Sequence, residues 1–485
     1  MTDSQAPILV WFRSDLRLAD HPALVLAQAS GCAVIPVFIW APEEEGRWAP
    51  GGASRWWLHH SLESLDVGLR AIGSRLVLRQ GNSLETLRTL VKQTGAGRVV
   101  WGRRYEPGII ARDTRIKESL RSEGIEAESM NTALLHEPWK VQNQAGRPFQ
   151  VFTPFWRSCL SGTDPEEPLP APTALRSPGA WPESEDVRAL GLLPRIPWDA
   201  GFRPVWRPGE GGASANLGRF VGQALFEYTE GRNRPDRLGT SRLSPHLHFG
   251  EIGPRQVWHA VRAAAERAGV AREVWRGGQF LAEVGWREFA YHLLFHFPHT
   301  PEKPLRGDFE RFPWRTDPRM LEAWKRGRTG VPLVDAGMRE LWTTGWMHNR
   351  VRMVVGSMLV KNLLISWEEG TRWFWDTLVD ADLASNTLGW QWVGGCGADA
   401  APYFRVFNPV SQGRKFDPDG NYVRRWVPEL ARMPVEDIHA PWEAAPAVLA
   451  RSGVVLGEHY PEPIVSLSAS RIAALGAFAS IRPGS

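Results

Sequence analysis

Cysteine is scarce in this 485-residue chain, and long apolar runs are missing. Cys32, Cys159 and Cys396 are odd in number and far apart, which argues against a disulfide framework or a cysteine zinc cluster and indicates a reducing compartment. No apolar run approaches the roughly 18 residues of a membrane helix. Residues 1–7 also lack the basic and apolar regions of a signal peptide. The sequence therefore predicts a cytoplasmic protein that does not span a membrane.

A glycine-rich nucleotide loop is also missing. The first apolar run, residues 8–12, is typical of a buried parallel strand, but the loop after it reads Arg-Ser-Asp-Leu-Arg. A dinucleotide-binding domain of the Rossmann type carries Gly-x-Gly-x-x-Gly at this point. Any dinucleotide cofactor is therefore expected to bind elsewhere in the chain.

What the sequence has in excess is tryptophan, with 25 residues. Most of these indoles are expected to fill the core, because aromatic side chains bury large areas. We assign only a handful to stacking on bases, packing against a flavin or carrying electrons. The charge balance, 57 basic against 53 acidic residues, permits a nucleic-acid partner without demanding one.

The order of patterns along the chain predicts two domains. Apolar runs alternate with helical spacing over the first 130 residues, which is typical of a parallel sheet covered on both faces. Ten prolines from Pro165 to Pro208 indicate a connector, and only helical patterns follow. These helical patterns include residues 217–228, 275–297 and 347–364. We predict a Rossmann-like α/β domain with a five-stranded parallel sheet, a connector and a larger all-α domain. Their expected bounds are 1–132, 133–212 and 213–485.

One helical stretch, Gly-Trp-Met-His-Asn-Arg-Val-Arg-Met at residues 345–353, combines several kinds of polar chemistry. Asn349 and Met353 lie four apart and share a face, and Arg352 lies one residue from that face. The helix thus offers an amide, guanidinium groups and a thioether together. The alternative is a core methionine beside solvated arginines, and spacing alone favours it.

A second stretch, residues 380–392, places two acids in an apolar context. Asp380 and Asp382 are poor core residues unless they are paired. Carboxylates at this spacing suit the hydroxyl and amine groups of ribose and adenine. The alternative is a helix N-cap for one acid and a surface position for the other.

These two stretches resemble the photolyase–cryptochrome family, and so do further motifs in the same order along residues 8–465. The further motifs are residues 11–17, 152–155, 239–244, 286–289 and 399–409. The resemblance implies light-driven repair of cyclobutane pyrimidine dimers by electron transfer from reduced FAD, as in bacterial class I or class III photolyases. The alternatives are a cryptochrome-type blue-light photoreceptor and a single-stranded DNA binder without photochemistry.

The resemblance assigns FAD, folded into a U, to the all-α domain, with FADH− as the active form. Arg352 should pair with Asp380, and Asn386 should face flavin N5, where an amide favours the reduced cofactor. The remaining residues that match cofactor contacts are Tyr228, Thr240, Ser241, Arg242, Leu243, Ser244, Arg287, Asn349 and Asp382.

The resemblance also implies a pocket for a dimer swung out of the DNA, and photolyases are themselves a standard example of base-flipping enzymes. Glu283 is expected to be neutral or tightly hydrogen-bonded, with a raised pKa. The (6-4) photolyases carry histidines where this chain has Asn349 and Met353, which favours the cyclobutane lesion. Trp286 and Trp392 complete the implied pocket, and the implied phosphate contacts are Arg232, Arg350 and Arg405.

Trp390, Trp367 and Trp314 match the chain through which the family passes electrons to photoexcited flavin; the alternative is core packing. A second, light-harvesting chromophore, methenyltetrahydrofolate or a deazaflavin, is common in the family. Gly108 and Ile109 lack the polar groups of many folate binders, so a folate bound differently, another chromophore or none stay open. We expect UV-damaged DNA as partner, a monomer associated with the bacterial nucleoid, and no metal site.

Overall fold

A computed structural model describes residues 6–403 and 405–481 of the chain. Residues 1–5, which form most of the stretch inspected for a signal peptide, lie outside the described part. So does Phe404, which belongs to the motif at residues 399–409. No helix within the described ranges combines the length and the hydrophobicity that crossing a bilayer requires.

The N-terminal region is a five-stranded parallel sheet in the order β3-β2-β1-β4-β5, which confirms the predicted fold class. Every residue of the central strand β1 is buried, because helices cover both faces of the sheet. The strands are β1 Ile8–Phe12, β2 Val34–Trp40, β3 Val77–Gln80, β4 Arg98–Gly102 and β5 Glu126–Met130. The helices of this region are α1 Pro22–Ala29, α2 Gly52–Ala71, α3 Ser83–Thr94 and α4 Pro107–Ser122.

The proline-rich connector carries one α-helix, α5 (Phe152–Ser161), and otherwise short 3₁₀ turns. Helix α5 buries Phe152, Phe155, Trp156 and Cys159 in a core cluster shared with the helical region. The connector therefore contributes side chains to the helical core. The boundaries at residues 132 and 212 stay predictions.

The rest of the described chain is helical, as predicted. Its helices are α6 Glu210–Gln223, α7 Tyr228–Gly231, α8 Ser244–His248, α9 Pro254–Arg267, α10 Arg272–Arg276, α11 Gln279–His296, α12 Pro318–Lys325, α13 Pro332–Thr344, α14 Asn349–Ser357, α15 Trp367–Thr377, α16 Leu383–Gly394, α17 Pro409–Phe416, α18 Asn421–Trp426, α19 Pro446–Ser452 and α20 Leu467–Ala479.

Three predicted helices have different bounds in the structure. The helix expected over 217–228 begins earlier, at Glu210, whose carboxylate accepts from two backbone N–H groups near residue 18, and it ends at Gln223. The helix expected over 275–297 is broken at Gly277 and Gly278, where the backbone gains freedom. The helix expected over 347–364 passes into a π-helical turn at Met358–Asn362.

A single buried carboxylate, Glu251, joins the α/β region to the helical region. Its Oε1 accepts from Nε1 of Trp57 on α2 at 2.9 Å and from the backbone N–H of Gly209 at 2.6 Å. Ser61 on α2 donates to the same oxygen, and Nδ1 of His246 on α8 contacts the other. Helix α2 is therefore tied by hydrogen bonds to the beginning of the helical region.

Candidate functional site

The start of α14 and the loop before α16 meet in an ion pair. Nη2 of Arg352 lies 2.8 Å and 3.0 Å from the two carboxylate oxygens of Asp380, so the structure contains the predicted pair. The same guanidinium donates from Nε to the carbonyl of Met347 at 2.8 Å. Two motifs that lie 28 residues apart in sequence thus form one polar surface.

Asp382 caps the beginning of α16 and collects several donors. Its Oδ1 accepts from the backbone N–H of Ser385 at 2.7 Å, and its Oδ2 accepts from the Tyr291 hydroxyl. Burial alone would raise the pKa of Asp382, but His248 and Arg287 outweigh burial and hold that pKa well below its usual range. The N-cap alternative is therefore correct for this acid, which nevertheless stays buried and ionised.

The segment Thr240–Ser244 begins at a close crossing of two chain segments. A Cβ at Gly239 would lie only 2.4 Å from the carbonyl oxygen of Gly231, so this approach requires glycine. Arg242 has a positive φ of 54°, and its guanidinium lies 5.6 Å and 5.0 Å from the ring centroids of Trp206 and Trp346. Within residues 6–403 and 405–481, Arg242 makes no ion pair. Its charge is therefore available to an anionic ligand.

Three other predicted cofactor contacts already have protein partners through part of their atoms. Arg287 donates to the carbonyls of Ala133 and Leu247 at 2.7 Å and 3.4 Å, and it lies 4.9 Å above the Tyr291 ring. The carbonyl of Thr240 accepts from Arg219, and the Ser241 hydroxyl accepts from the backbone N–H of Leu243. The polar atoms of these three residues that have no protein partner border the polar surface that Arg352 and Asp380 form.

His348 lies among several guanidinium groups. Burial, followed by the charges of Arg350, Arg352, Arg242 and Arg232, lowers the pKa of His348 to about 3. Its Nδ1 accepts from the backbone N–H of Arg350 at 3.2 Å, which leaves the proton of the neutral ring on Nε2. Nε2 is buried and has no partner among the described residues. Arg242 and Arg350 make no ion pair in the described chain, and these two guanidinium groups beside a donor without a partner fit a diphosphate-bearing group such as FAD.

Asn386 lies on α16, one turn before Trp390, and is 9% exposed. Its amide nitrogen donates one hydrogen bond, of 3.2 Å, to the carbonyl of Thr371. One amide hydrogen and the amide oxygen stay available. The side chain is thus anchored at one atom and retains a donor and an acceptor for a ring nitrogen or carbonyl.

A second polar group surrounds Glu283 on α11. Glu283 is ion-paired with Arg232 and accepts from Nε2 of Gln279 at 2.9 Å. The predicted tight hydrogen bonding is present, and one of the two partners is a guanidinium group. Tyr228 lies on the same side, with Arg232 5.7 Å from its ring centroid.

Arg350 extends this group toward α14. Its Nη2 donates to Oδ1 of Asn233 at 2.5 Å, and its Nη1 lies 3.7 Å from Sδ of Met353. Burial, together with the charges of Arg232 and Arg405, lowers the pKa of Arg350. Arg350 thus contacts Met353 and lies close enough to Glu283 for their charges to interact.

Of the two predicted pocket tryptophans, Trp286 is stacked and Trp392 is more loosely packed. The Trp286 and Phe152 rings are 4.0 Å apart between centroids and 9° from parallel. The Trp392 ring is 6.5 Å from that of Phe407, which in turn lies 5.6 Å below the guanidinium of Arg405.

The three tryptophans predicted to carry electrons lie in or against one hydrophobic core cluster: Trp390 on α16, Trp367 at the beginning of α15, and Trp314 before α12. Trp390 packs against α15 at Gly370, where a Cβ would lie only 2.0 Å from the indole, and Trp367 begins that helix. A bridge between Arg315 and Ile365 brings the segment that carries Trp314 close to this point. The rings in contact with Trp390 are those of Phe374, at 4.9 Å, and Trp324, at 6.2 Å.

Ion pairs fill the sheet crevice at the carboxyl ends of β1 and β4. Here the strand order reverses, which is where open α/β sheets usually bind ligands. Arg13 pairs with Asp113 at 2.6 Å, and Arg112 contacts both Asp113 and Glu44.

The nearby segment at residues 105–109, whose lack of polar groups left the antenna chromophore open, also makes hydrogen bonds within the protein. Glu106 accepts from Arg104 at 2.8 Å, and the Tyr105 hydroxyl donates to Glu137 at 2.7 Å. The polar groups that the segment does have are already hydrogen-bonded, so the antenna alternatives stay open.

Histidine clusters do not form a convincing metal centre. Nε2 of His292 accepts from the backbone N–H of Phe149, and Nε2 of His296 contacts the carbonyl of Pro138. In the described ranges, the one metal-like group is His59, His60 and Glu63 on α2. Both imidazoles already contact the carboxylate, and their other ring nitrogens are buried without partners. Metal-bound imidazoles normally donate that second N–H, so this group lacks the needed support.

Several residues of the site escaped sequence reasoning. Trp206 lies outside every predicted motif; Phe152 and Trp346 lie within the motifs at residues 152–155 and 345–353, but their ring partners are far away in sequence, so no local pattern reveals these contacts. Glu340 is buried beneath this surface and accepts from Tyr422 at 2.6 Å; burial raises its pKa to about 7. In the sequence, the only indication of Glu340 is that an acidic residue lies close to the Arg-rich motif at residues 345–353.

Comparison with known proteins gives one consistent result. Residues 8–173 match the family model "DNA photolyase", and residues 280–480 match "FAD binding domain of DNA photolyase". The chain is 49% identical to the deoxyribodipyrimidine photo-lyase of Agrobacterium fabrum, with 99% of each chain covered. It is 44% identical to cryptochrome-1 of Arabidopsis thaliana, covering 96% of this chain and 69% of that protein.

The solved structures point the same way. The crystal structure of a bacterial class III photolyase from Agrobacterium tumefaciens has a TM-score of 0.95 and 49% identity, covering 99% of this chain and 98% of the other. Its similarity extends over the sheet, the connector and the helices alike. The chain therefore belongs to the photolyase/cryptochrome family, and its helical region is an FAD-binding domain.

Proposed function

We propose that this protein is a deoxyribodipyrimidine photo-lyase of class III, which uses light and FADH− to split cyclobutane pyrimidine dimers in DNA. The observation that carries the proposal is the buried, unpartnered Nε2 of His348 together with Arg242 and Arg350, which make no ion pair in the described chain. These groups lie beside the ion pair of Arg352 with Asp380, in the domain whose family model is named for FAD. The 49% identity with a class III photolyase supports the subclass.

Arg242, Ser244 and the backbone of Thr240–Ser244 would hold the diphosphate, because α8 begins at Ser244 and Arg242 has no carboxylate partner in the described chain. Asp380 and Asp382 would accept from the ribose and adenine groups. Asn386 would face N5 with the amide atoms that Thr371 leaves free. When bound, the reduced flavin supplies the electron that light transfers to the dimer.

The dimer would enter beside Glu283, Asn349 and Met353 and stack against Trp286 and Trp392. Base–aromatic stacking contributes about 1–3 kcal/mol per base. Glu283 would accept from the imide N–H of a pyrimidine, and its contact with Arg232 would hold the carboxylate in position. Arg350 and Arg405 would bind the flanking phosphates, with Arg232 adding positive charge at the rim.

Repair is favoured over cryptochrome-type signalling by the residues at two positions. Asn386 presents a neutral amide where plant cryptochromes tend to carry aspartate. Met353 and Asn349 offer no imidazole acid, so the pocket suits a cyclobutane dimer, which electron transfer alone can split. Trp390, Trp367 and Trp314 would return the flavin to its reduced state by passing electrons inward from the surface.

The partner of the protein is UV-damaged DNA, which a monomer would bind in the cytoplasm on the nucleoid. A second chromophore would broaden light capture without changing the chemistry at the dimer. The ion pairs at the sheet crevice argue against that location for it.

One absorption spectrum and one repair assay test the proposal. The purified protein should show flavin absorption, and under near-UV or blue light it should remove dimers from UV-irradiated oligothymidine. The dark reaction is the control. A flavin-loaded protein that leaves dimers intact in the light would favour the photoreceptor, and a colourless protein would favour a DNA binder without photochemistry.

A further inference from the structure

The closest stacked pair of aromatic rings in the described chain joins the connector to the proposed lesion pocket. Phe152, the first residue of α5, lies with its ring 4.0 Å from that of Trp286 and 9° from parallel. Phe152 is 9% exposed, whereas Trp286 is only partly buried. One face of the indole is thus covered by Phe152, and the side chain as a whole stays partly exposed.

The packing behind Phe152 holds the phenyl ring in place. Trp156, one turn later on α5, lies 12° from parallel with Phe152 at 6.5 Å. Its indole rests directly on α11, because Gly285 has no side chain there; a Cβ at Gly285 would approach the Trp156 ring to 2.6 Å. Three nearly parallel rings therefore form a stack that ends at Trp286.

The beginning of α5 is anchored from the far end of the chain. The backbone N–H of Phe152 donates to Oδ2 of Asp399 at 3.0 Å, across 247 residues. Asp399 begins the loop that leads to Arg405, a proposed phosphate contact. Val151, the N-cap residue of α5, supplies no side-chain cap, so this distant carboxylate satisfies one of the free N–H groups of the helix.

We propose that Phe152 is a positioning residue for dimer recognition. By covering one face of Trp286, it fixes the plane of the indole and leaves the opposite face to receive a pyrimidine. The inference rests on the proposed function, because it assigns Trp286 to the lesion. Phe152 itself does not touch the dimer; it acts through Trp286, so its effect disappears when the indole is absent.

A double-mutant cycle separates this role from a general loss of packing. Phe152→Leu removes the flat ring but keeps an apolar side chain, and Phe152→Tyr keeps the ring. Phe155→Leu is the matched control, since Phe155 lies on the same helix, shares the Phe289 contact with Phe152, and makes no ring contact with Trp286. Binding of an oligonucleotide with one thymine dimer, and of its undamaged twin, is measured in the dark on flavin-loaded proteins.

Phe152→Leu should weaken binding to the dimer about threefold to tenfold, as loss of one stacked aromatic pair implies, and should leave binding to undamaged DNA unchanged. Phe152→Tyr and Phe155→Leu should bind the dimer as the wild type does. In a Trp286→Ala background, Phe152→Leu should cause no further loss. An equal loss in both backgrounds, or no loss in either, would overturn the proposal.

If Phe152→Leu does not retain flavin, Phe152→Met replaces it in the same double-mutant cycle, with the same expected outcomes. A wild-type protein that neither distinguishes dimer from undamaged DNA in the dark nor repairs it in light would refute the proposed function itself. A repairing wild type with an additive cycle would refute only the role of Phe152.

Discussion

Two regions of this molecule combine tryptophan pairs with arginine, but their charges are arranged differently. At the sheet crevice, Trp11 and Trp101 lie 5.8 Å apart with Arg13 over Trp11. In the helical region, Trp206 and Trp346 lie 6.3 Å apart with Arg242 over both. The residue types and ring distances are nearly the same.

The difference lies in the acids nearby. Asp113 and Glu44 neutralise the arginines of the crevice, whereas Arg242 makes no ion pair within the described ranges. A partly buried guanidinium without an ion pair is costly unless a ligand supplies negative charge. Unbalanced charge, rather than residue composition, therefore distinguishes the candidate cofactor site from a structural cluster.

The largest effect that would sharpen this comparison is expected at Trp390. Trp390→Phe should abolish photoreduction of the oxidised flavin, because a phenyl ring gives up an electron far less readily than an indole. Dimer repair by enzyme that has been reduced chemically should persist. Absorption spectra recorded during illumination give the rate. Trp101→Phe in the α/β region is the control and should photoreduce normally; undiminished photoreduction in Trp390→Phe would refute the assigned route.

The next largest effect concerns the unbalanced charge itself. Arg242→Ala should weaken FAD binding about tenfold to a hundredfold, the usual value of a charge-assisted hydrogen bond. Flavin retention after dialysis, or titration of the apoprotein, measures it. Arg112→Gln, which removes a paired arginine of the crevice, should leave FAD affinity unchanged. Equal losses in both variants would contradict the distinction between the two regions.

A smaller effect is expected from the carboxylate beside Arg232. Glu283→Ala should lower the repair yield about tenfold, because the dimer loses a charged acceptor and Arg232 loses its partner. Dimers removed per absorbed photon give the yield. Glu45→Gln, which breaks a comparable pair with Arg104 in the α/β region, should repair normally. A full yield in Glu283→Ala would remove this acid from the mechanism.

The smallest effect on activity is expected from pH. The free energy of unfolding, by contrast, should change measurably. Burial raises the pKa of Glu288 to about 7 against an ordinary value of 4.5, although Arg287 opposes it. The folded protein therefore holds this proton more tightly than the unfolded chain. This contribution, about 3 kcal/mol, is complete below pH 4.5 and is lost as the pH rises through 7. Glu288→Gln should flatten the unfolding free energy across that window.

Glu106 in the α/β region provides the contrast, with the opposite sign. Burial would raise its pKa, but Arg104 outweighs burial and lowers it. Its stabilising contribution is therefore present above pH 4.5 and is lost as the pH falls below that value. Denaturant unfolding should therefore give Glu106→Gln a lower free energy of unfolding than wild type above pH 4.5, and the two proteins should converge as the pH falls below that value. A change for Glu288→Gln confined to the acid side would contradict its assignment.

Local patterns predicted most of the fold. Strands β1, β2 and β4 were recognisable because burial on both faces produces continuous apolar runs. Strand β5 has no such run, since it is an edge strand in which only Ala127 is fully buried. The break at Gly277 and Gly278 was missed because the apolar spacing continues through it.

The candidate site was less accessible to sequence reasoning. The pairing of Arg352 with Asp380 was predicted through a family resemblance, not through spacing. Contacts such as Phe152 with Trp286, separated by more than a hundred residues, depend on how helices pack and leave no periodic signal. The contact of Glu283 with Arg232 also could not be predicted, because only the folded chain defines the position of Arg232.

The hydrogen bonds of Glu251 also bear on how the α/β region and the helical region unfold. Its carboxylate is shared by α2, the residue before α6, and α8, and separating these would strand a buried charge without donors. The sheet and the helices are therefore expected to unfold together. Heating should produce one calorimetric transition for the whole chain, and Glu251→Ala should lower its midpoint.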